Sequence, residues 1–135
     1  MAESAAPAPP VLLDEARTWV GNRVDDLSGA EIGQVHSLFV DADGGAPTWL
    51  VARQGRRFRV TTVAIPIANC ACGGGRVWVA HERGTVRSSP VVDPGRPLLR
   101  EHELTIAEHY GIGDGVGRAA GVAGRDESAV TSRPL

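Results

Sequence analysis

The 135-residue chain carries 16 acidic residues against 14 basic ones, every one of them arginine, for a formal net charge of −2. That balance supplies no global field favouring nucleic acid or membrane. No apolar run is long enough to cross a bilayer, and no basic, apolar leader opens the chain, so the sequence predicts a cytoplasmic protein without a transmembrane segment.

The two ends differ from the middle. Residues 1–10 are Ala/Pro-rich, and residues 114–135 are rich in Gly, Ala, Arg and Ser. Neither buries enough apolar surface to offset the entropy of ordering, so both are expected to be disordered tails. Residues 11–113 remain as one domain.

Leu12 to Trp19 predicts one or two helical turns, and Val20 to Asp25 a short strand. "DDLSGAEIG" supplies a turn. Ile32 to Val40 predicts a strand of imperfect alternation, and a bulge near Gly33 reconciles the two parities. After "DADGG", Thr48 to Arg53 predicts the return strand. In "RRFRV", Phe58 and Val60 share one parity and Arg57 and Arg59 the other, the pattern of a half-buried strand. "VAIPIANCA" continues it, with Pro66 marking an edge or a bend. "RVWVAH" runs back after "CGGGR", and Thr85 to Arg87 predicts a further extended piece. Leu98 to Tyr110 predicts a helix, with Glu101 and Glu103 in its first turn, His109 in its last, and Gly111 as its left-handed cap. Trp19, Trp49 and Trp78 should be partly buried, because a core with so few rings needs them. About six short strands at turn intervals of roughly 8–12 residues predict a small all-β barrel or sandwich with a C-terminal helix.

Chemical motifs are sparse. A calcium loop opening at Asp41 needs an oxygen ligand at 45, Gly at 46 and Glu at 52, where the chain has Gly45, Ala46 and Ala52. The stretch reads instead as a hairpin turn. Gly115-x-Gly117-x-x-Ala120 follows a helix and enters a tail, the wrong context for a dinucleotide loop. Of His36, His81, His102 and His109, only the last two share a helix face, two turns apart, too far for one metal. Cys70 and Cys72 lack further ligands nearby and read as semi-buried residues at a strand end. Asp25 and Asp26 are adjacent and face opposite ways on a strand, poor geometry for paired acid–base work. No catalytic residue, metal or cofactor is therefore expected, and a small-molecule substrate is not. The densest local charge is Arg53, Arg56, Arg57 and Arg59, a candidate anion- or RNA-binding group whose alternative is a solvated hairpin.

The order of short motifs resembles the PRC-barrel family. The residues that carry the likeness are Trp19, Gly21, Val24, Asp26, Gly29, Ile32, Gly33, Val35, Asp41, Gly45, Pro47 and Trp49, followed by Ile65-Pro66, Val86 to Pro90 and the closing Tyr110-Gly111. The likeness spans about residues 12–113; "CACGGG" departs from it, standing where many members have a more acidic turn. It implies a small β-barrel shared with the photosynthetic reaction-centre H subunit and a ribosome maturation factor, and with stand-alone bacterial members. It further implies a non-catalytic module that docks on a protein partner or assembly, or self-associates. The alternatives are an RNA- or ribosome-associated factor using the arginine-rich hairpin, and an accessory subunit of a membrane-associated electron-transfer complex.

Overall fold

The computed structural model describes residues 11–112 and 129–135. The expected N-terminal tail, most of the expected C-terminal tail and the Gly115–Ala120 motif lie outside the described residues. Eleven elements follow in order: α1 (Leu13–Arg17), β1 (Arg23–Asp26), β2 (Glu31–Asp41), β3 (Pro47–Gln54), β4 (Thr61–Pro66), β5 (Ala71–Gly73), β6 (Arg76–Val79), α2 (Arg83–Arg87), β7 (Leu98–Leu99), α3 (Arg100–His109) and β8 (Val130–Pro134). The chain is mainly β, as its turn spacing predicts, but with eight strands among the described residues rather than about six.

All eight strands join one sheet in the order β4-β3-β2-β1-β6-β5, with β8 pairing both β2 and β7. No ladder among the described residues joins β4 to β5, so the sheet has two open ends. Pro66 closes β4 at one of them, where its missing N–H costs no ladder bond. The β1–β6 pair is parallel, while the other ladders are antiparallel. Parallel pairing sets Arg23 opposite Arg76. The fully buried Asp25 relieves that like-charge contact by taking Arg23 Nε at 2.6 Å and Arg76 Nη1 at 3.4 Å.

The bulge is where the alternation required it. Val24 pairs with Gly33 and Asp25 with Glu31, leaving Ile32 as the extra residue. Gly33 is required there for a second reason: a Cβ would lie 2.0 Å from the Arg53 carbonyl oxygen. The β2–β3 turn is the expected hairpin. Asp41 Oδ1 accepts the N–H groups of Asp43 at 2.8 Å and Gly44 at 3.3 Å, and Gly45 takes a positive φ of 76°.

Trp49, Leu50, Val51 and Ala52 are all fully buried, so both faces of β3 are covered, in contrast to a half-wet strand. Trp19, Phe39 and Leu38 complete the centre of the core, while Trp78 is half-buried. Tyr110 Oη donates to the Ala64 carbonyl at 2.8 Å, tying the end of α3 to β4, and burial raises its phenol to about 12. Gly111 caps α3 at φ 70°. Its N–H reaches Glu108 and that of Ile112 reaches Ala107, both at 3.0 Å, the paired bonds of a Schellman turn.

Five expectations need correction. The helix expected over Leu98 to Tyr110 begins at Arg100, because Leu98 and Leu99 pair with Ser132 and Val130 as β7. Residues 56–60 form no strand. The ladder between β3 and β4 closes at Gln54–Thr61, so residues 55–60 leave it as a loop, and Phe58 points into solvent. Thr85 to Arg87 lies in α2, because Asp26 Oδ2 accepts the Arg83 N–H at 3.0 Å and starts a helical turn that buries Val86 alone. Residues 129–135 are no free tail: Val130–Pro134 inserts as β8. Cys70 lies outside β5, since Asn69 at φ 65° turns the chain before Ala71.

That last correction separates the two thiols. Cys70 donates to the Pro66 carbonyl at 3.5 Å, and burial pushes its pKa up to about 12, whereas Cys72 is exposed. Thiolate is the reacting form. A disulfide reagent at pH 8 is therefore expected to label one thiol rapidly, at Cys72, and the second only in denaturant. Two equally fast labels in the native protein would contradict this placement.

Candidate functional site

The four arginines singled out by the sequence fall on one exposed projection. Arg53 is the exposed penultimate residue of β3, and Arg56, Arg57 and Arg59 occupy the loop between β3 and β4. Local geometry explains its shape. Gly55 stands at φ 101°, and a Cβ there would lie 1.9 Å from the Arg59 carbonyl oxygen, so only glycine lets the loop's base close. Arg59 N–H then bonds the Arg56 carbonyl at 3.0 Å, making a tight turn with Arg57 and Phe58 at its tip. Arg57 sits at φ 54°, in the left-handed region. Asn69, the other non-glycine residue there among the described ones, is of a type that tolerates it; arginine is not.

Phe58 is 100% exposed and Val60 beside it 41%. By contrast Trp19, Phe39, Trp49 and Tyr110 are buried. Among the described residues none of the four arginine side chains makes an ion pair or hydrogen bond. At the foot of the loop a groove of about 450 Å³ runs between Arg23, Glu31, Gln34, Arg53 and Val60. Its floor is the close approach of Gly33 to β3.

The residues of the family likeness are placed differently. Trp19, Ile32, Val35 and Trp49 are core; Gly21 and Gly111 hold positive φ; Gly33 and Asp41 shape the bulge and hairpin; Pro47 and Pro66 bound strands; Tyr110 anchors α3. They set the scaffold and do not converge on one another as a reactive group.

Sequence reasoning missed the buried node. Glu103 of α3 is 4% exposed. Its Oε2 accepts Trp49 Nε1–H at 2.8 Å and the Ser132 hydroxyl at 2.5 Å, and its Oε1 accepts the Thr131 hydroxyl at 2.7 Å. Thr48 Oγ1 extends the chain to Ser132 Oγ at 2.9 Å. One carboxyl thus joins α3, β3 and β8. A signal was present: Leu99, Glu103, Ile106 and Tyr110 share one helix face, so Glu103 interrupts an apolar stripe.

Asp26 is a second, peripheral node. Its Oδ1 accepts the Ser28 hydroxyl at 2.6 Å, the Ser28 N–H at 2.9 Å and the Ala30 N–H at 3.0 Å. The Ser28 hydroxyl first, then the Arg83 backbone N–H, hold this carboxyl down from 3.8 to about 2, against the opposing effect of burial. His81, tilted against Tyr110 with ring centroids 4.7 Å apart, is shifted below its ordinary 6.5 by burial. Each shift makes stability depend on pH, because the folded and unfolded chains bind the proton unequally. His81 makes the fold less stable as pH falls below 6.5, where the unfolded chain takes the proton more readily. Asp26 stabilises above 3.8, and that contribution is lost as pH falls toward 2. Melting temperature is expected to drop over both windows, and Asp26→Asn should flatten the lower one alone. An unchanged slope in the variant between those pH values would contradict the role of Asp26.

His109 Nε2 lies 2.7 Å from the Thr85 carbonyl oxygen, so that nitrogen carries the proton and docks α3 on α2. His102 is exposed, 3.9 Å from Glu101. His109 fastens α3 to α2, while His102 stays at the surface of the same helix. No helix among the described residues is long and apolar enough to cross a membrane. No protein-family model matches the chain, and no curated protein matches it.

Proposed function

We propose that the protein is a non-catalytic docking module of the PRC-barrel type, which attaches its scaffold to a partner or larger assembly through the β3–β4 loop. The observation that carries this reading is the loop tip: a phenylalanine ring wholly in solvent, framed by three arginines, on a backbone held in a conformation unfavourable to arginine. Trp19, Phe39, Trp49 and Tyr110 are withdrawn into the core and Trp78 is half-buried, and exposed apolar surface of this kind marks contact sites. The buried carboxylates Glu103, Asp25 and Asp26 are engaged in joining elements. The motif order from Trp19 to Gly111 supports the barrel type.

A photo-crosslinking phenylalanine analogue placed at position 58 tests the reading in native lysate. Adducts are expected from position 58 and not from the same analogue at Leu27, which is also exposed but lies in the turn after β1. Equal adducts from both positions, or none from 58, would overturn it. The arginine cluster favours one second reading, attachment to RNA; nuclease-sensitive adducts that weaken with salt would support it.

A further inference from the structure

The partner surface can be narrowed by the chemistry of the loop, and the narrowing rests on the docking reading above. We infer that the β3–β4 loop seats on an anionic lipid bilayer, with Phe58 and Val60 entering the interface and Arg53, Arg56, Arg57 and Arg59 meeting headgroup phosphates.

Shape and charge both point this way. The tip is convex: the Arg56–Arg59 turn pushes Phe58 wholly into solvent, and Phe58 does not line the groove at the loop's foot. A protruding ring beside a second apolar side chain matches the boundary between headgroups and acyl chains. Single-stranded nucleic acid is held by several rings along a basic groove. Here the candidate rings Trp19, Phe39 and Trp49 are buried, and the groove at the loop's foot carries Glu31 as well as Arg23 and Arg53. Arginine suits phosphate, presenting a planar fork of donors, and its long stem lets the charge stay at the headgroup level while the ring goes deeper. Residues 53–59 contain four arginines and no acid, so attraction at the tip is local although the whole chain is at −2. Within a Debye length of the surface only the local charge counts.

Vesicle flotation of the full chain tests the inference. Vesicles of phosphatidylglycerol mixed with phosphatidylcholine serve as the anionic probe, pure phosphatidylcholine as the neutral one, and a single-stranded RNA oligonucleotide as the competing ligand. The wild type is expected to float with anionic vesicles at low salt and to stay behind with neutral ones. Phe58→Ser should lower the partition coefficient roughly tenfold. Changing Arg56, Arg57 and Arg59 together to Ala should lower it roughly a hundredfold. Both variants should melt like the wild type, since none of these side chains is buried. Wild type absent from anionic vesicles, equal flotation with neutral ones, or variants that float undiminished would each overturn the inference. Loop-dependent binding to RNA in place of vesicles would overturn it while leaving the docking reading intact. Loss of crosslinks from position 58 would remove both.

Discussion

Trp49→Ala is expected to destabilise the protein by about 3–5 kcal/mol, the upper range for removing a large ring from a core. Two effects add. The ring is fully buried in β3, a strand covered on both faces, so its removal opens a cavity that neighbouring strands cannot collapse around. Loss of the indole N–H also leaves Glu103 Oε2 without one of its donors, and a buried polar group deprived of a partner accounts for about 1–3 kcal/mol of that total. Trp49→Phe separates the contributions, because it keeps most of the volume and removes only the donor. In a denaturant melt, alanine should lower the midpoint much further than phenylalanine. Near-equal midpoints would mean that the hydrogen bond, rather than packing, dominates; no loss in either would show that Trp49 is not where the structure places it.

Removal of residues 129–135 is the second large effect. Those residues contain β8, which pairs with Phe39 to Asp41 on β2 and with Leu98 and Leu99 on β7. Thr131 and Ser132 are almost completely buried and together supply two of the donors to Glu103. Truncation exposes two strand edges and leaves those two hydrogen bonds unmade around a buried carboxyl. At about 1–3 kcal/mol for each lost partner, the hydrogen bonds alone account for about 2–6 kcal/mol. Small domains have about 5–15 kcal/mol in total. The truncated chain should therefore lose most of its near-ultraviolet circular dichroism at room temperature. A truncated chain that melts within a few degrees of the full one would contradict the role of β8. Thr131→Val and Ser132→Ala are milder versions, each expected to cost about 1–3 kcal/mol.

Much of the scaffold was legible in the sequence, and the misses have physical causes. Strands β2, β3 and β6 announced themselves by aliphatic runs bounded by Gly and Asp, and the bulge at Ile32 by a parity conflict next to Gly33. The α3 helix and its Gly111 cap followed from spacing and turn chemistry. The "RRFRV" stretch failed because alternation is only a sign of a strand where one parity is buried, and the ladder had already closed at Gln54–Thr61. The conformation that closed it depends on Gly55 meeting Arg59, a contact five or fewer residues long that periodicity cannot register. The C-terminal strand failed for the opposite reason. "AVTSRPL" is polar and short, and what orders it is a tertiary carboxyl on α3 rather than its own composition. An acid in the first turn of a helix also suits the helix dipole, so only the place of Glu103 in an apolar stripe marks its buried role.

The candidate site was legible in part. The arginines stood out as local charge, but their arrangement did not. A half-buried strand would have hidden Phe58 and shown only arginines to solvent. The loop reverses this, so the apolar ring becomes the most exposed part of the group. Scaffold and contact surface are thus physically separate: Glu103 and Asp25 hold the interior, while the loop is joined to it through Gly55 and the end of β3.

Native-state hydrogen exchange resolved by residue tests that separation most directly. The amides of Thr131 to Arg133 should be protected as strongly as those of Leu38 to Asp41, opening only with global unfolding, while Arg57 and Phe58 should exchange quickly. Fast exchange throughout 129–135, or slow exchange at the loop tip, would contradict the account.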